Sequence, residues 1–296
     1  MRRNTTDVLR RGFDLTVANW PVIAVRIVET IVLAMVTIGF VIATIVPIIV
    51  SAGLGNFSDI TSATAAIVDH WIVIVYALAM IAVLLVLLVA VHAFVDGGVA
   101  QIFIDSDRAD AKPAFNMSRL LAGGRSSWWA IFWIYNLVWS IAGIILLVPL
   151  TATLALMLVV DDNTARIGIS CFGLAVSFIL LMGLGIIAAV WTQKAIAVCV
   201  ARAAGAADAM RLARQEMRRD LGRHFAVAFI AIVVSVGGSA LIGVISAPFS
   251  MMHHGEPIFV LLTAPLQIVV SFAQSIFSAA AGAWFLASFI ALTEER

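Results

Sequence analysis

The sequence has few charged residues, few cysteines and few prolines. Charged residues make up 12% of the 296 residues, against about 25% in an ordinary soluble domain, and 63% of the residues are hydrophobic. A chain with so little polarity cannot cover a water-facing surface, which excludes a soluble globular fold and a disordered chain. Two cysteines cannot form a disulfide scaffold, and the lack of a glycine period excludes a collagen-like repeat. The composition is therefore that of an integral membrane protein.

The sequence also lacks the short motifs that mark several classes of enzyme. It contains no phosphate-binding GxxxxGK(S/T), no GxGxxG between a strand and a helix, no GxSxG, no HExxH and no CxxC. We therefore expect no catalytic residues and no cofactor, and a non-enzymatic protein. An unusual membrane enzyme is the alternative, and it would need a cluster of titratable groups at one depth of the membrane.

Possible metal ligands and disulfide partners are poorly arranged in the sequence. His253 and His254 are adjacent and do not form a helical i, i+4 pair, so we expect a surface loop without a metal there. Cys171 and Cys199 would lie about 42 Å apart on one helix, which is too far for a disulfide. We expect a solvated polar loop to contain Asp105, Asp107 and Asp110.

Six apolar runs are long enough to cross a membrane, which takes roughly 20 residues for a hydrocarbon core of about 30 Å. The predicted spans are residues 21–50, 71–95, 128–150, 167–191, 225–248 and 266–291. The last run begins earlier, at Ile258, and we expect Pro265 to kink it or to separate an outer interfacial segment from the crossing. The sequence thus predicts an all-α integral membrane protein, with residues 1–296 forming a single six-span domain.

Basic residues are concentrated in alternate segments of this topology. The N-terminal segment, the loops after the second and fourth spans, and the C-terminus carry 16 of the 18 Lys and Arg residues. Because short cytoplasmic loops collect Lys and Arg, we expect both termini in the cytoplasm and a bacterial cytoplasmic membrane around the spans. Anchoring to that membrane accounts for the basic residues, so nucleic acid is not an expected partner.

The chain repeats a pattern three times. Each odd-numbered span follows a basic segment, starts near an aromatic residue and closes with an apolar-Pro step. The basic segments read DVLRRGFDLTVANW, NMSRLLAGGRSSWW and DAMRLARQEMRRDLGRHF. This predicts three related two-span units that run in the same direction, with chance similarity among apolar helices as the alternative.

The third basic segment has the pattern of an amphipathic helix at the membrane surface. Its apolar residues recur at three- and four-residue steps and are expected to face acyl chains: Met210, Ala213, Met217, Leu221 and Phe225. The other side is predicted to contact anionic headgroups through Arg211, Arg214, Arg218 and Arg219. A similar apolar stripe in the first segment comprises Leu9, Phe13, Val17 and Trp20. Topological anchoring alone is the simpler interpretation of these helices.

The stretch AGAADAMRLARQEMRRDLGRHFAVAFIAIVVSVGGSALIG combines a small-residue turn, an Arg-rich helix and an aromatic entry into a Gly-rich span. In this it resembles bacterial six-span inner-membrane proteins of unknown function, and the membrane domain joined to some glycerophosphodiester phosphodiesterases. The resemblance covers most of the chain and implies six helices in a bacterial cytoplasmic membrane. The carboxylate and histidine set of such a phosphodiesterase is absent, so the resemblance transfers no activity and no functional residues.

Charged residues within the spans are the first candidates for a site, since each costs free energy unless it is paired or hydrated. Arg26 and Glu29 lie three residues apart on one helix and can pair, either as an interface anchor or in a proton or solute path. His92 and Asp96 are one turn apart near the end of the second span. We expect a structural role for this second pair more than a functional one.

The last span carries polar residues along one side. Gln267, Ser271 and Gln274 follow i, i+4 and i+7 spacing, and Thr263 and Ser278 extend the stripe. Two glutamines cannot face lipid at low cost, so they are expected to contact another helix or a hydrated cavity. Ser235, Ser239 and Gly243 form a small-residue ridge on the fifth span that suits packing against the last one.

Two functions remain open from the sequence. The first is a non-enzymatic membrane component that organises lipids or envelope assemblies through headgroup contact, alone, as a homo-oligomer or with a membrane-protein partner. The alternative is a transporter or channel for a small solute or ion, with a polar path along Gln267 and Gln274 and a gate near Arg26 and Glu29.

Overall fold

The computed structural model describes residues 4–51, 71–160, 162–252 and 257–294, and all regular secondary structure in these ranges is α-helix. Eight helices occur in this part of the chain. They are α1 (Thr5–Ala18), α2 (Pro21–Ser51), α3 (Trp71–Arg108), α4 (Met117–Val159), α5 (Asn163–Ala201), α6 (Ala206–Arg219), α7 (Leu221–Met252) and α8 (Pro257–Thr293). Helices α2, α3, α4, α5, α7 and α8 are long and apolar enough to span a membrane. The predicted all-α membrane fold with six spans is confirmed.

Several helices extend well beyond the predicted crossings. Helix α3 continues past Val95 to Arg108, and α4 begins at Met117 instead of Trp128. Asp105 and Asp107 therefore belong to α3, so the expectation of a loop at these two residues is wrong, and only Asp110 lies in the connecting turn. Apolar spacing marks the part of a helix that lipid surrounds, whereas these extensions are stabilised by contacts with other helices.

Glycines allow the extended ends of α3 and α4 to pack closely. A Cβ at Gly98 would lie 2.4 Å from the backbone oxygen of Leu120, and one at Gly124 would lie 2.7 Å from the backbone oxygen of Phe94. Any larger residue would push the two backbones apart. Helix α4 is continuous through Gly123 and Gly124, and both glycines lie in this contact.

Helix continuity tests two further features of the sequence. Helix α8 is continuous through Pro265, so Pro265 does not separate an outer segment from the crossing, and the alternative of a kink at Pro265 stays a prediction. The basic segments of the three proposed repeat units also differ: α1 and α6 are separate helices, whereas the second segment is the first part of α4. The three-unit repeat remains a prediction for the spans themselves.

The starts of α2, α4 and α7 and the ends of α3, α5 and α8 lie together at one end of the bundle, which we call the basic end. The buried core lies in this half, and includes Phe103, Ile131, Ile196 and Phe289. Toward the other end the helices expose large apolar side chains, such as that of Phe178, which is 63% exposed. Lipid-facing apolar surface of this kind is expected of a membrane bundle.

Helices α1 and α6 cover the basic end of the bundle. The indole nitrogen of Trp284 in α8 donates to the backbone oxygen of Leu9 at 2.9 Å, and Arg11 binds Asp107 at 2.6 Å and Asp110 at 3.0 Å. Burial opposes the charge on Arg11, but its hydrogen bonds and attraction to the two aspartates outweigh that, so the pKa of Arg11 is raised. These contacts tie α1 to α3 and α8.

Candidate functional site

Five polar residues from three spans meet inside the bundle near its basic end. We call them the Arg26 cluster: Arg26 and Glu29 of α2, His92 and Asp96 of α3, and Tyr135 of α4. The sequence pairs Arg26 with Glu29 and His92 with Asp96, and the structure brings both pairs together with Tyr135. Each of the five side chains lies on a helix whose other faces are apolar. The packing of these spans against one another therefore brings the cluster together.

Arg26 bridges the two carboxylates of the cluster. Its Nη1 donates to Glu29 Oε2 at 2.9 Å, and its Nη2 donates to Asp96 Oδ1. The Tyr135 hydroxyl donates to the other oxygen of Asp96. His92 Nδ1 lies 2.5 Å from Glu29 Oε1, and its Nε2 lies 3.6 Å from Asp96 Oδ2. Both carboxylates are therefore shared between the guanidinium and the imidazole.

The charges of the Arg26 cluster do not balance unless a proton is bound. Two carboxylates face one guanidinium, so the cluster keeps one negative charge when His92 is neutral. Arg26, Glu29 and Asp96 are buried, and an uncompensated charge in low dielectric is costly. One additional proton, shared between His92 and Glu29, makes the cluster neutral.

His92 is the member of the cluster most open to its surroundings. Its side chain is 41% exposed, against 4% for Glu29 and 2% for Asp96. It faces a cavity of about 630 Å³ between α2, α3, α5 and α8, which we call the cluster cavity. Polar groups from other helices also line this cavity, among them Thr30, Gln193, Gln274 and Ser278. A proton or a small solute in the cavity can reach the cluster through His92.

The polar stripe of the last span lies beside α2. Gln274 lines the cluster cavity, and Gln267 and Ser271 line an adjoining cavity of about 480 Å³. Thr30 and Ser275 line both cavities, so the two spaces adjoin. The glutamines thus line open space instead of a sealed helix contact. The side chain of Thr263 lies outside the described residues.

The ridge predicted on the fifth span lies only partly in a helix contact. Helix α7 does pack against α8, but through Gly238, where a Cβ would lie 2.1 Å from the ring of Phe277. A Cβ at Gly243 would meet nothing within 4 Å. The predicted ridge therefore identifies α8 correctly as the neighbour of α7, but Gly243 is not in contact with it.

The arginines of α6 lie on the exposed side of a docked helix. Arg211, Arg214, Arg218 and Arg219 are exposed. The opposite face is buried against the protein at Ala213 and Met217, so the expectation that these two residues face acyl chains is wrong. Arg211 also forms a 2.9 Å ion pair with Asp208.

A second buried cation fixes α6 in place. Lys194 of α5 is 1% exposed and lies 2.8 Å from Glu216 of α6, and it donates to the Thr293 hydroxyl of α8 at 2.9 Å. Arg202 binds the other oxygen of Glu216. We call Lys194, Arg202, Glu216 and Thr293 the Lys194 cluster. The predicted fourth span ends at residue 191, which places Lys194 in a loop, so the sequence did not predict this site.

The charged clusters offer no obvious metal centre. Within the ranges that the structure describes, no group of three or more His, Cys, Asp and Glu residues is arranged to hold a metal ion. In the Arg26 cluster the guanidinium itself is the cation between the two carboxylates. His253 and His254 lie outside the described residues.

Two residues at the site were not singled out from the sequence. Tyr135 is one of only two tyrosines, and its position in an apolar run was the available signal. Gln193 follows the predicted fourth span by two residues and was not considered. Its Oε1 is buried and has no hydrogen-bond partner in the described part of the chain.

Comparisons with known proteins identify no relative: no family model, no curated protein and no solved structure matches the chain.

Proposed function

We propose that the chain is a membrane carrier for a small polar solute, and that the Arg26 cluster is its proton-binding site. The observation that carries this proposal is a buried charge cluster that needs one proton for neutrality and opens through His92 into the cluster cavity. Ionisable residues within spans are costly and characteristic of substrate paths and proton relays. A purely structural ion pair would need neither the second carboxylate nor the cavity.

The polar residues of the two cavities along α2 and α8 support a path for the solute. Gln274 lines the space that contains the cluster, and Gln267 and Ser271 line the adjoining one. Amide and hydroxyl groups can replace part of the hydration shell of a solute, which lowers the cost of its entry into the membrane.

The proposal is tested with the purified chain in sealed vesicles that contain a pH indicator. An imposed pH gradient should be dissipated by at least one class among organic cations, carboxylates, amino acids and sugars, and only in vesicles that contain the protein. Glu29→Gln should reduce the rate about tenfold or more, which corresponds to about 1.4 kcal/mol of barrier.

The matched control is Asp162→Asn. This also converts a carboxylate to an amide, but at the exposed N-cap of α5, where Asn caps equally well. If no solute class dissipates the gradient faster than in protein-free vesicles, the carrier function is wrong.

A second candidate function is the organisation of anionic lipids, and the exposed basic face of α6 supports it. Reversal of Arg211, Arg214, Arg218 and Arg219 to Glu should remove bound anionic lipid, detected by mass spectrometry of the intact protein, while replacement by Lys should retain it. If neither the Glu variant nor the Lys variant loses bound anionic lipid, this role is contradicted.

We further propose that the protein lies in a bacterial cytoplasmic membrane with the basic end inside. The excess of Lys and Arg at that end supports this orientation, as does the resemblance of the chain to bacterial six-span proteins. In a Cys171→Ser background, Arg214→Cys should resist a membrane-impermeant thiol reagent in intact cells and react after lysis. Labelling of Arg214→Cys in intact cells would show that the basic end lies outside the cell.

A further inference from the structure

The carboxylates in the wall of the cluster cavity outnumber its arginine by one. The charged and titratable residues of this wall are Arg26, Glu29, His92 and Asp96. The terminal nitrogens of Arg26 already donate to the two carboxylates, so the guanidinium has only its buried Nε left without a partner. When His92 is neutral, an anion that enters the cavity would therefore meet one negative charge in excess, whereas a cation would neutralise that charge.

The other polar groups of the cavity favour a ligand that donates hydrogen bonds or carries positive charge. Gln193 Oε1 is a buried acceptor without a partner in the described part of the chain. The hydroxyl of Ser275 donates to the backbone oxygen of Ser271 at 2.9 Å, which leaves its own lone pairs as acceptors.

Apolar groups complete the wall and favour an organic ligand. Leu33, Ala34 and Ala279 offer apolar surface, and Phe285 offers an aromatic ring. Alkyl groups gain from contact with the apolar residues, and aromatic rings attract organic ammonium ions through their π-electrons. A small inorganic ion would use neither.

We propose that the cluster cavity binds a small organic ammonium cation in exchange for the proton held between His92 and Glu29. This inference rests on the proposed carrier function and assigns its substrate class. The exchange conserves charge: the cation enters, the imidazole–carboxylate pair loses one proton to water, and the buried cluster remains neutral together with its ligand. Cation binding should therefore weaken as pH falls, because protons compete for the same negative charge.

Five helices contribute polar groups around the site of exchange: α2, α3, α4, α5 and α8. Helix α2 contributes Arg26 and Glu29, and α3 contributes His92 and Asp96. The remaining contributors are uncharged: Tyr135 of α4, Gln193 of α5, and Gln274, Ser275 and Ser278 of α8. His92, which faces Glu29, is thus the group from which a proton is released, while Arg26 keeps Asp96 neutralised.

The test uses the full-length purified protein in detergent, weakly buffered near neutral pH with an indicator dye. Tetraethylammonium chloride should release about one proton per chain, whereas sodium chloride and sodium benzoate should release none. Tetraethylammonium is chosen because it has no proton of its own to lose and cannot cross a membrane as a neutral amine. Proton release by sodium chloride or benzoate to the same extent, or no release at all, would overturn the inference.

Variants connect the release to the proposed residues. Glu29→Gln should abolish it, and Asp162→Asn should leave it unchanged. Gln193→Met, which keeps the volume of the side chain but removes the acceptor, should weaken the binding of ethylammonium about tenfold, because the N–H groups of ethylammonium can donate to Gln193 Oε1. Tetraethylammonium has no N–H to donate, so its affinity and its proton release should change little in this variant. Unchanged ethylammonium affinity in Gln193→Met and unchanged proton release by tetraethylammonium in Glu29→Gln would each contradict the assigned site.

The two proposals can fail separately. If sugars or carboxylates dissipate the pH gradient in vesicles and tetraethylammonium does not, the carrier function stands and the substrate class is wrong. If the protein in detergent exchanges tetraethylammonium for a proton but no solute dissipates a gradient in vesicles, the cation site stands and the carrier function is wrong.

Discussion

The Arg26 and Lys194 clusters have similar components and different surroundings. Each contains a buried basic residue, Arg26 or Lys194, that a carboxylate neutralises near the basic end of the bundle. Each also has a histidine beside it, His92 in one and His224 in the other, where His224 lies close enough to interact with Lys194 and Glu216. One cluster lines a cavity, and the other joins α5, α6 and α8 in a packed contact.

The comparison shows that burial of charge alone does not indicate function. Lys194 is sealed by the helix that carries Glu216, and its partners hold two helix ends together. Arg26 holds two carboxylates, one of which also binds a histidine that is open to the cavity. The surplus carboxylate and the open histidine are the reasons why we propose proton exchange for the Arg26 cluster and a structural role for the Lys194 cluster.

The largest expected effect is from Arg26→Met. It leaves Glu29 and Asp96 buried without their cation, and the loss of one partner from a buried ion pair costs about 3–5 kcal/mol. We expect a clear decrease in the thermal unfolding temperature of the protein in detergent. If Arg26→Met unfolds at the wild-type temperature, the cluster is hydrated and is not the buried site described above.

A smaller effect is expected from the corresponding change in the other cluster, Glu216→Gln. It leaves Lys194 buried with the Thr293 hydroxyl as a remaining partner, so a loss of about 2–3 kcal/mol is expected. Thermal unfolding measures this loss, and limited proteolysis within α6 should become faster. Proton release by tetraethylammonium should not change, and a change would show that the two clusters are not independent.

The smallest effects on stability are expected from the two histidines, which differ in function. His224→Gln should cost about 1 kcal/mol, because the ring bonds the backbone of Asp220 at 2.8 Å and packs on Phe289. His92→Gln should cost no more, since its side chain is 41% exposed. Solute-driven dissipation of a pH gradient should lose its pH dependence in His92→Gln and keep it in His224→Gln. Equal pH profiles in His92→Gln and His224→Gln would contradict the proposed difference in function between the two histidines.

The spans are predictable from the sequence because hydropathy reports directly what lipid requires of a helix. The six apolar runs all correspond to long helices, and the break before Pro21 is also real. The helix ends were less predictable. The extension of α3 to Arg108 depends on the contact of Gly98 with α4, and a polar stretch such as Asp105 to Arg108 carries no local signal for it.

The candidate site was predictable only in its parts. Arg26 and Glu29 were recognised as a pair because i, i+3 spacing places them on one side of a helix. Their contact with Asp96 and Tyr135 joins residues far apart in the chain, and no local spacing encodes it. The same holds for Met217, whose apolar stripe fits a lipid surface and a protein surface equally well.

The sequence by itself determined that six apolar helices cross a membrane and that basic residues collect at one end, since both follow from local composition and the cost of placing charge in hydrocarbon. Only the tertiary structure decided which helices are neighbours. Packing between helices therefore determined that Arg26 neutralises two carboxylates, that His92 opens into a cavity and that Lys194 is sealed, because the partners of a buried charge come from other helices.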